Sequence, residues 1–587
     1  MRNVKIVSTL GPASSDRATI HRLADSGMSI ARLNASHGTA EARVELIESV
    51  RAVDREIEKP LGIMLDLRGP EVRTAETDDS IELETGSQVR FVEGDAATSS
   101  TVGLSHSIAG VEAGDTVLLD DGRIETTVER LDGDAVVARV DSGGELGSRS
   151  GVTTRGVDLD LELVGEADRE SLRLGAEHGV DLVAASFVKD GGDVYEIADT
   201  LEEFGAENTP VIAKIERSTA VEHIDDIIDA ADGVMVARGD LGVECPLEDV
   251  PLIQKQIIDR CVEAGIPVIT ATEMLDSMVH SRRPTRAEAS DVANAVFDGT
   301  DAVMLSGETA IGEYPVGAVE TMATIVDRIE ASEEYAETRD RRVPPAEPGV
   351  RTDAVARSAR YLAGDVDATA IVCVSESGYT ARKAAKFRPS VPVIAATPND
   401  DVRRQLAVTW GVDARYATYA ADVDDILETA VDSAVSAGVA ESGDTIVVLA
   451  GMMSDLPETD VANTLKVHVV AETIASGRGV VTGQVAAPIV RTDDGDLADV
   501  PSDSIVVLPA GFEGEFDGEV TKISGVIAAE SGLTGYPAVV ARELGVPMVS
   551  GVTIPNRFED GAVVTVDGER GVVYEGDVTS GTRSEER

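Results

Sequence analysis

What most constrains the fold of this chain is a rhythm of short β-branched and aliphatic runs separated by helix-length amphipathic stretches. The runs are Lys5–Ser8, Met28–Leu33, Leu61–Leu65, Asp181–Ser186, Pro210–Ile215, Asp232–Ala237, Ile266–Ala271 and Asp301–Ser306. Between them lie amphipathic segments such as Ile253–Glu263 and Glu288–Phe297. Strands apolar along their whole length are buried on both faces, which is the signature of a parallel sheet covered by helices. Eight of them, alternating with helices, predict a closed (β/α)8 barrel occupying residues 1–71 and 155–340. The gap from Leu65 to Asp181 is too long for one helix. Its segment 72–154 reads SIELETG, DTVLLDDG, IETTVERLDG and AVVARV, alternating in period two with Gly and Asp at the turns. That pattern predicts a small all-β domain inserted after the third barrel strand. RDRRVPPAEPGV, Arg339–Val350, reads as a linker. Strands and helices then alternate again over 350–475, and a final module spans 476–587.

Composition enters through charge. The net charge is −56, and only nine of the basic residues are lysines. Such a surface repels nucleic acid and anionic membranes, and it repels itself unless salt screens it. Acid-rich, lysine-poor composition of this kind predicts a halophilic protein that works in molar salt, where the Debye length is about 3 Å. No apolar run reaches membrane-spanning length, and the N-terminal stretch MRNVKIVSTLGP lacks a signal core. The expectation is a soluble, cytoplasmic protein. Cys245, Cys261 and Cys373 stand singly, without metal-ligand spacing, and are expected to be small buried hydrophobes.

Functional residues of such a barrel gather where strands end. The second run ends ARLNASHG (Arg32, Asn34, Ser36, His37), and the third LDLRGPEVR (Asp66, Glu71, Arg73). The fifth ends AKIER (Lys214, Glu216), and the sixth ARGDLGVE (Gly239, Asp240). The seventh ends TATEML (Thr270, Thr272), and the eighth MLSGETA (Ser306, Glu308). Lys214 and Glu216, two apart on a strand, face the same side. In isolation they read equally as a plain salt bridge. Glu216 and Asp240, on adjacent strands, supply hard oxygens of the kind Mg2+ takes together with water and phosphate. Lys214 and Arg32 would place positive charge around a phosphoryl group, which needs little besides positioning, metal and cations.

These residues sit in longer strings. KIVSTLGPASS, GMSIARLNASHG, AKIER, GVMVARGDLGVE, TATEML, RPTRAEASDVANAVFDGTDAVMLSGETA and GEYP resemble the pyruvate kinase family, over residues 1–475. The resemblance implies an α/β protein: a TIM barrel, an inserted small β-barrel lid after the third strand, and an α/β C domain. It implies Mg-dependent phosphoryl transfer from phosphoenolpyruvate to ADP, giving pyruvate and ATP, as the last step of glycolysis, with Mn2+ as an alternate metal. By position, Glu216 and Asp240 would bind Mg2+. Arg32 and Lys214 would hold the transferring group, with Lys214 stabilising the transition state. Gly239, Asp240 and Thr272 would contact phosphoenolpyruvate or pyruvate. Thr272, with Ser306 and Glu308 through water, would lie near the proton delivered to the enolate. Asn34, Ser36, Asp66 and the carbonyl of Leu67 would form a K+ site, and Asn34, Ala35, Ser36, His37 and Arg73 would lie near the nucleotide. A homotetramer is implied too.

Two signals on K+ conflict. Leu67-Arg68 stands where potassium-dependent members commonly carry Thr-Lys, whereas Glu71 is their usual residue. The loop SESGYTARKAA resembles the family's effector-phosphate loop, through Ser375, Ser377 and Thr380; an ordinary helix N-cap explains the same residues. GVIAAESGLTGYPAVVARELGVPMVSG resembles the mobile phosphohistidine domain of phosphoenolpyruvate-utilising enzymes, but Tyr536 holds the histidine's place. The last histidine is His468, so no phosphohistidine relay can run there, and the module is expected to be non-catalytic. The competing readings are another barrel enzyme acting on phosphoenolpyruvate or pyruvate, such as a lyase, and a non-catalytic regulatory homologue. The second would be expected to have lost Lys214, Glu216 or Asp240; all are present.

Overall fold

In the computed structural model, all residues are described except 1, 121, 160, 419–422, 452–461 and 580–587. The chain forms two compact units, residues 1–357 with 375–419, and residues 358–374 with 420–587.

The first unit is built on a closed barrel of eight parallel strands: Lys5–Thr9, Ile30–Asn34, Gly62–Asp66, Leu182–Ala185, Val211–Ile215, Gly233–Ala237, Val268–Ala271 and Ala302–Leu305. Each pairs with its neighbour in chain order, and Lys5↔Ala302 closes the ring. Period-two alternation sorts the side chains. Val7, Ile30, Met64, Leu182, Ala184, Ile212, Met235, Ile269 and Met304 fill the interior, where Ala407 and Val408 join them. The alternate positions, among them Ile6, Leu33, Ile63, Leu65, Val183 and Ala213, face the helical jacket. Along the second, third and fifth strands the inward series runs Ile30–Arg32–Asn34, Met64–Asp66 and Ile212–Lys214. The interior is therefore apolar in its middle layer and charged at the strands' C-terminal ends.

Local chemistry sets the helix limits. The helix Arg286–Asp298 starts at a capping box between Thr285 and Glu288 and stops at Gly299, whose φ of 95° suits a residue without Cβ. Glu288 also accepts from Ser277 N at 2.7 Å, which ties this helix to the turn after the seventh strand.

Between the third and fourth barrel strands lies a seven-stranded sheet plus a two-stranded ribbon, with its own core around Phe91, Val89, Val117, Val136 and Leu119. Its outgoing strand Val72–Arg73 and returning strand Gly151–Thr154 pair antiparallel. The chain thus leaves and rejoins the barrel at one point. The remaining part of this unit includes the parallel pair Val393–Thr397 and Val412–Tyr416. Arg388 from this part grips Asp301, at the start of the eighth strand, with both guanidinium nitrogens at 2.9 and 3.0 Å. The same carboxylate accepts from Trp410 N at 3.0 Å and Val268 N at 3.1 Å.

In the second unit, Ala370–Val374 pairs parallel with Thr445–Ala450, which pairs antiparallel with Thr464–Val469. An eight-stranded mixed sheet follows, with the helix Tyr536–Leu544 against its strands Ile523–Ala528 and Arg478–Val481. Tyr536 opens that helix, is 37% exposed, and its ring lies 5.8 Å from Phe516. All three cysteines are buried and unpaired. Among the described residues no helix is long and apolar enough to cross a membrane.

Candidate active site

The charged layer at the barrel mouth is a ring of contacts. Lys214, at the end of the fifth strand, gives its three ammonium protons three acceptors. They are Ser186 Oγ at 2.7 Å, Glu216 Oε1 at 2.8 Å and Asp66 Oδ1 at 3.2 Å. Arg32, from the second strand, donates to Asp66 Oδ2 at 2.6 Å and to Thr9 Oγ1 at 2.8 Å. The other oxygen of Glu216 accepts from Phe187 N at 2.7 Å. Lys214, Glu216, Asp66 and Arg32 are each buried, so two cations and two anions neutralise each other out of water. Burying such groups is costly unless they are paired and hydrogen-bonded, and breaking one pair exposes that cost.

The electrostatics follow from this geometry. Burial pulls Lys214 toward neutrality, but Asp66 and Glu216 together outweigh it and hold the ammonium more firmly charged than an ordinary lysine. Burial raises the Asp66 carboxyl, and Arg32 and Lys214 overcome that to leave it below its usual value. Glu216 is pushed up to about 7 by burial, with Lys214 pulling the other way and Asp240 adding repulsion. The field of Asp240 thus reaches both Lys214 and Glu216. Asp240 is exposed in the first turn of the helix Arg238–Glu244, after the sixth strand. Arg238 anchors that turn through Asp291 Oδ1 at 2.7 Å and Gln254 Oε1 at 3.1 Å. A Cβ built on Gly239 would meet nothing within 4 Å, so the turn is open to a ligand.

The other expected residues line the same rim. Asn34 Oδ1 accepts from Ser36 N at 2.9 Å, which fixes the turn carrying buried Ala35 and exposed His37. The Leu67 carbonyl accepts from Ser186 Oγ at 2.7 Å. Arg73 pairs with Glu71 at 2.7 Å and donates to the Arg149 carbonyl at 2.9 Å, spanning the base of the inserted sheet. Thr272 is half-buried just past the seventh strand. The Glu308 carboxylate is buried and tied to Leu275 N at 2.8 Å and Ser306 N at 2.7 Å. Burial pushes it up, against those hydrogen bonds. Away from this rim, Ser375 and Thr380 are buried and Ser377 half-buried around Gly378, the N-cap of the helix Tyr379–Lys386, with φ 74°. Ser377 Oγ accepts from Tyr379 N at 3.2 Å.

Three contributors escaped the sequence reading: Thr9, Ser186 and Phe187. Thr9 and Ser186 sit at the ends of the first and fourth strands, and the rule that strand ends carry chemistry would have found both. Phe187 has φ 60°, a left-handed backbone that costs a side-chain-bearing residue about 1–2 kcal/mol. No residue type announces it.

Among the described residues no group of three or more His, Cys, Asp or Glu side chains could by itself hold a metal ion. Glu216 and Asp240 offer two hard carboxylates, which fits a cation that fills its other positions from water and substrate oxygens. Asn34, Asp66 and the Leu67 carbonyl are all-oxygen donors, which fits a monovalent cation.

Family models match this chain in three consecutive stretches. They are the pyruvate kinase barrel domain over residues 1–319, the pyruvate kinase alpha/beta domain over 353–468, and the mobile domain of PEP-utilising enzymes over 500–571. The chain belongs to the pyruvate kinase family. It is 41% identical over 585 residues to the pyruvate kinase of Geobacillus stearothermophilus, covering 98% of this chain and 99% of that one. The Bacillus licheniformis pyruvate kinase matches at 41% with the same coverage, and a Staphylococcus aureus pyruvate kinase at 40%. Pyruvate kinases are phosphotransferases, and the family's barrel is the one described above, with its C-terminal PEP-utiliser module attached.

Proposed function

We propose that this protein transfers the phosphoryl group of phosphoenolpyruvate to ADP, giving pyruvate and ATP, as the closing step of glycolysis in the cytoplasm. The observation that carries this reading is the convergence of Lys214, Arg32, Glu216 and Asp66 in one barrel mouth. Glu216 and Asp240 hold a divalent cation, Mg2+ or Mn2+, which when bound neutralises phosphoryl charge. Asn34, Ser36, Asp66 and the Leu67 carbonyl hold K+.

Arg32 and Lys214 grip the transferring group from two sides. The ester P–O bond of phosphoenolpyruvate breaks as a terminal ADP oxygen bonds to phosphorus, and Lys214 stabilises the charge spread over the phosphoryl oxygens. The enolate left behind takes a proton at its methylene carbon from the side of Thr272, with Ser306 and Glu308 positioning water there. Gly239, Asp240 and Thr272 orient the three-carbon acid. Asn34 to His37 and Arg73 line the nucleotide's place, and the inserted domain, residues 72–154, closes over it and excludes water. The barrel proper comprises 1–71 and 155–340, followed by the α/β domain 350–475. Ser375, Ser377 and Thr380 offer a site for a phosphorylated effector. The module 476–587 is non-catalytic, since no histidine follows His468. Assembly is as a homotetramer.

A coupled assay of pyruvate formation from phosphoenolpyruvate and ADP, with Mg2+ and KCl, tests the proposal. Lys214→Met is expected to keep the circular dichroism spectrum and lose turnover by about a thousandfold or more. Full turnover in that variant would overturn the mechanism.

A further inference from the structure

We infer that Ser186 is a positioning residue for Lys214, the neutral anchor that keeps the ammonium aimed at the phosphoryl group when its two anionic partners are drawn elsewhere. The inference rests on the phosphotransfer reading above. All three ammonium protons of Lys214 are engaged, by Ser186, Glu216 and Asp66. Two of these acceptors are claimed by cations in the proposed reaction: Glu216 by the divalent ion, Asp66 by the monovalent one. With those cations in place, the two carboxylates would share their charge with them and hold Lys214 less firmly. Ser186 Oγ carries no charge and is itself no ligand in either set. Its own anchors are the Leu67 carbonyl at 2.7 Å, which belongs to the proposed monovalent site, and Asp66 Oδ1 at 3.4 Å, so its bond to Nζ is kept as long as that carbonyl stays in place.

The hydroxyl is itself held. It is buried at 3% exposure and donates its one proton to the Leu67 carbonyl at 2.7 Å, which aims its lone pairs toward Nζ. The backbone around it is set by close contact. A Cβ on Gly69 would fall 2.7 Å from Phe187 Cδ2 and 2.9 Å from Ser186 Cβ, so the turn after the third strand lies directly on this pair. Asp168 fixes that turn by accepting from Arg68 N at 2.9 Å and Gly69 N at 2.8 Å. The next residue, Phe187, turns left-handed and donates its N–H to Glu216, with Arg217 stacked 5.0 Å above its ring. Two successive residues thus hold the two ends of the Lys214–Glu216 pair, Ser186 the cation and Phe187 the anion. A hydrogen bond made in ground and transition state alike would only aid binding. One that decides where a cation sits when charge develops acts on kcat.

The test compares Ser186→Ala and Ser186→Cys with the wild type, the thiol keeping the shape, being somewhat larger, and accepting poorly. Turnover, and calorimetric binding of phosphoenolpyruvate with Mg2+ in the absence of ADP, are measured on each full-length protein. Both variants are expected to lose about ten- to a hundredfold in kcat, the alanine more than the cysteine. The phosphoenolpyruvate Kd is expected to stay within about threefold. A folded variant with wild-type kcat, or losses shared equally between kcat and Kd, would overturn the positioning role and leave the proposed function standing. Absence of turnover in the wild type would instead overturn the function itself.

Discussion

Lys5 shows what the barrel's other end asks of a single residue. Its ammonium, at the start of the first strand, donates to the Val412 carbonyl at 2.6 Å. Burial lowers it from 10.5 to about 8, although Asp413 and Glu330 pull it up. A lysine depressed on folding costs stability wherever both states are protonated. The cost is full below pH 8 and fades as pH rises toward 10.5, because the unfolded chain then binds a proton that the folded chain does not. That interval corresponds to about 3 kcal/mol. Lys5→Met is therefore expected to stabilise the protein at pH 7 and to lose that advantage by pH 10, as read by urea unfolding at both pH values. An equal gain at both would refute the assignment. Residues of this kind mark the limit of sequence reading. Lys214, Glu216 and Arg32 were legible in the sequence as strand-end residues, and the structure brings them together with Asp66 at the barrel mouth. The burial of Lys5 was not, because nothing in a strand-initial lysine shows which carbonyl waits 407 positions away. Phe187 was hidden for a different reason, since only glycine advertises a left-handed backbone.

The strands themselves were the legible elements. Uniformly apolar runs mean strands covered on both faces, and all eight runs coincide with barrel strands to within a few residues. Period-two runs with Gly and Asp turns correspond to strands of the inserted sheet, among them Ile81–Leu83, Thr116–Leu119, Ile124–Asp132 and Ala135–Ser142. What tied elements together was less visible. The Arg388–Asp301 clamp joins residues 87 positions apart, and no local pattern encodes a partner at that distance. The insertion's attachment makes its own prediction. Thr74 N donates to the Ser150 carbonyl at 2.9 Å, so the two crossings are already bridged. Replacing residues 75–149 by a short Gly-Ser link should leave the barrel folded, because its closure involves no inserted strand. Turnover should fall by about a hundredfold or more as water enters the site. Circular dichroism with the coupled assay separates these outcomes, and a shortened protein of normal activity would rule out the closing role.

At the scale of the whole molecule, charge dominates. With 107 acidic and 51 basic side chains, self-repulsion opposes compaction at low ionic strength. The thermal midpoint is expected to climb steadily from 0.1 M to 2 M KCl, and similarly in NaCl, because screening acts on any salt alike. A flat profile would remove the case for a salt-adapted surface. The ring of ion pairs at the barrel mouth adds one more consequence. Before metal ions bind, Lys214 and Arg32 are spent on Glu216 and Asp66, so these two cations project little attraction into the surroundings. A triply ionised acid drifting toward this enzyme meets a hill before it meets a well, and dissolved ions flatten the hill. Capture of fuel should quicken in brine, the reverse of enzymes that beckon their substrates through an open positive funnel.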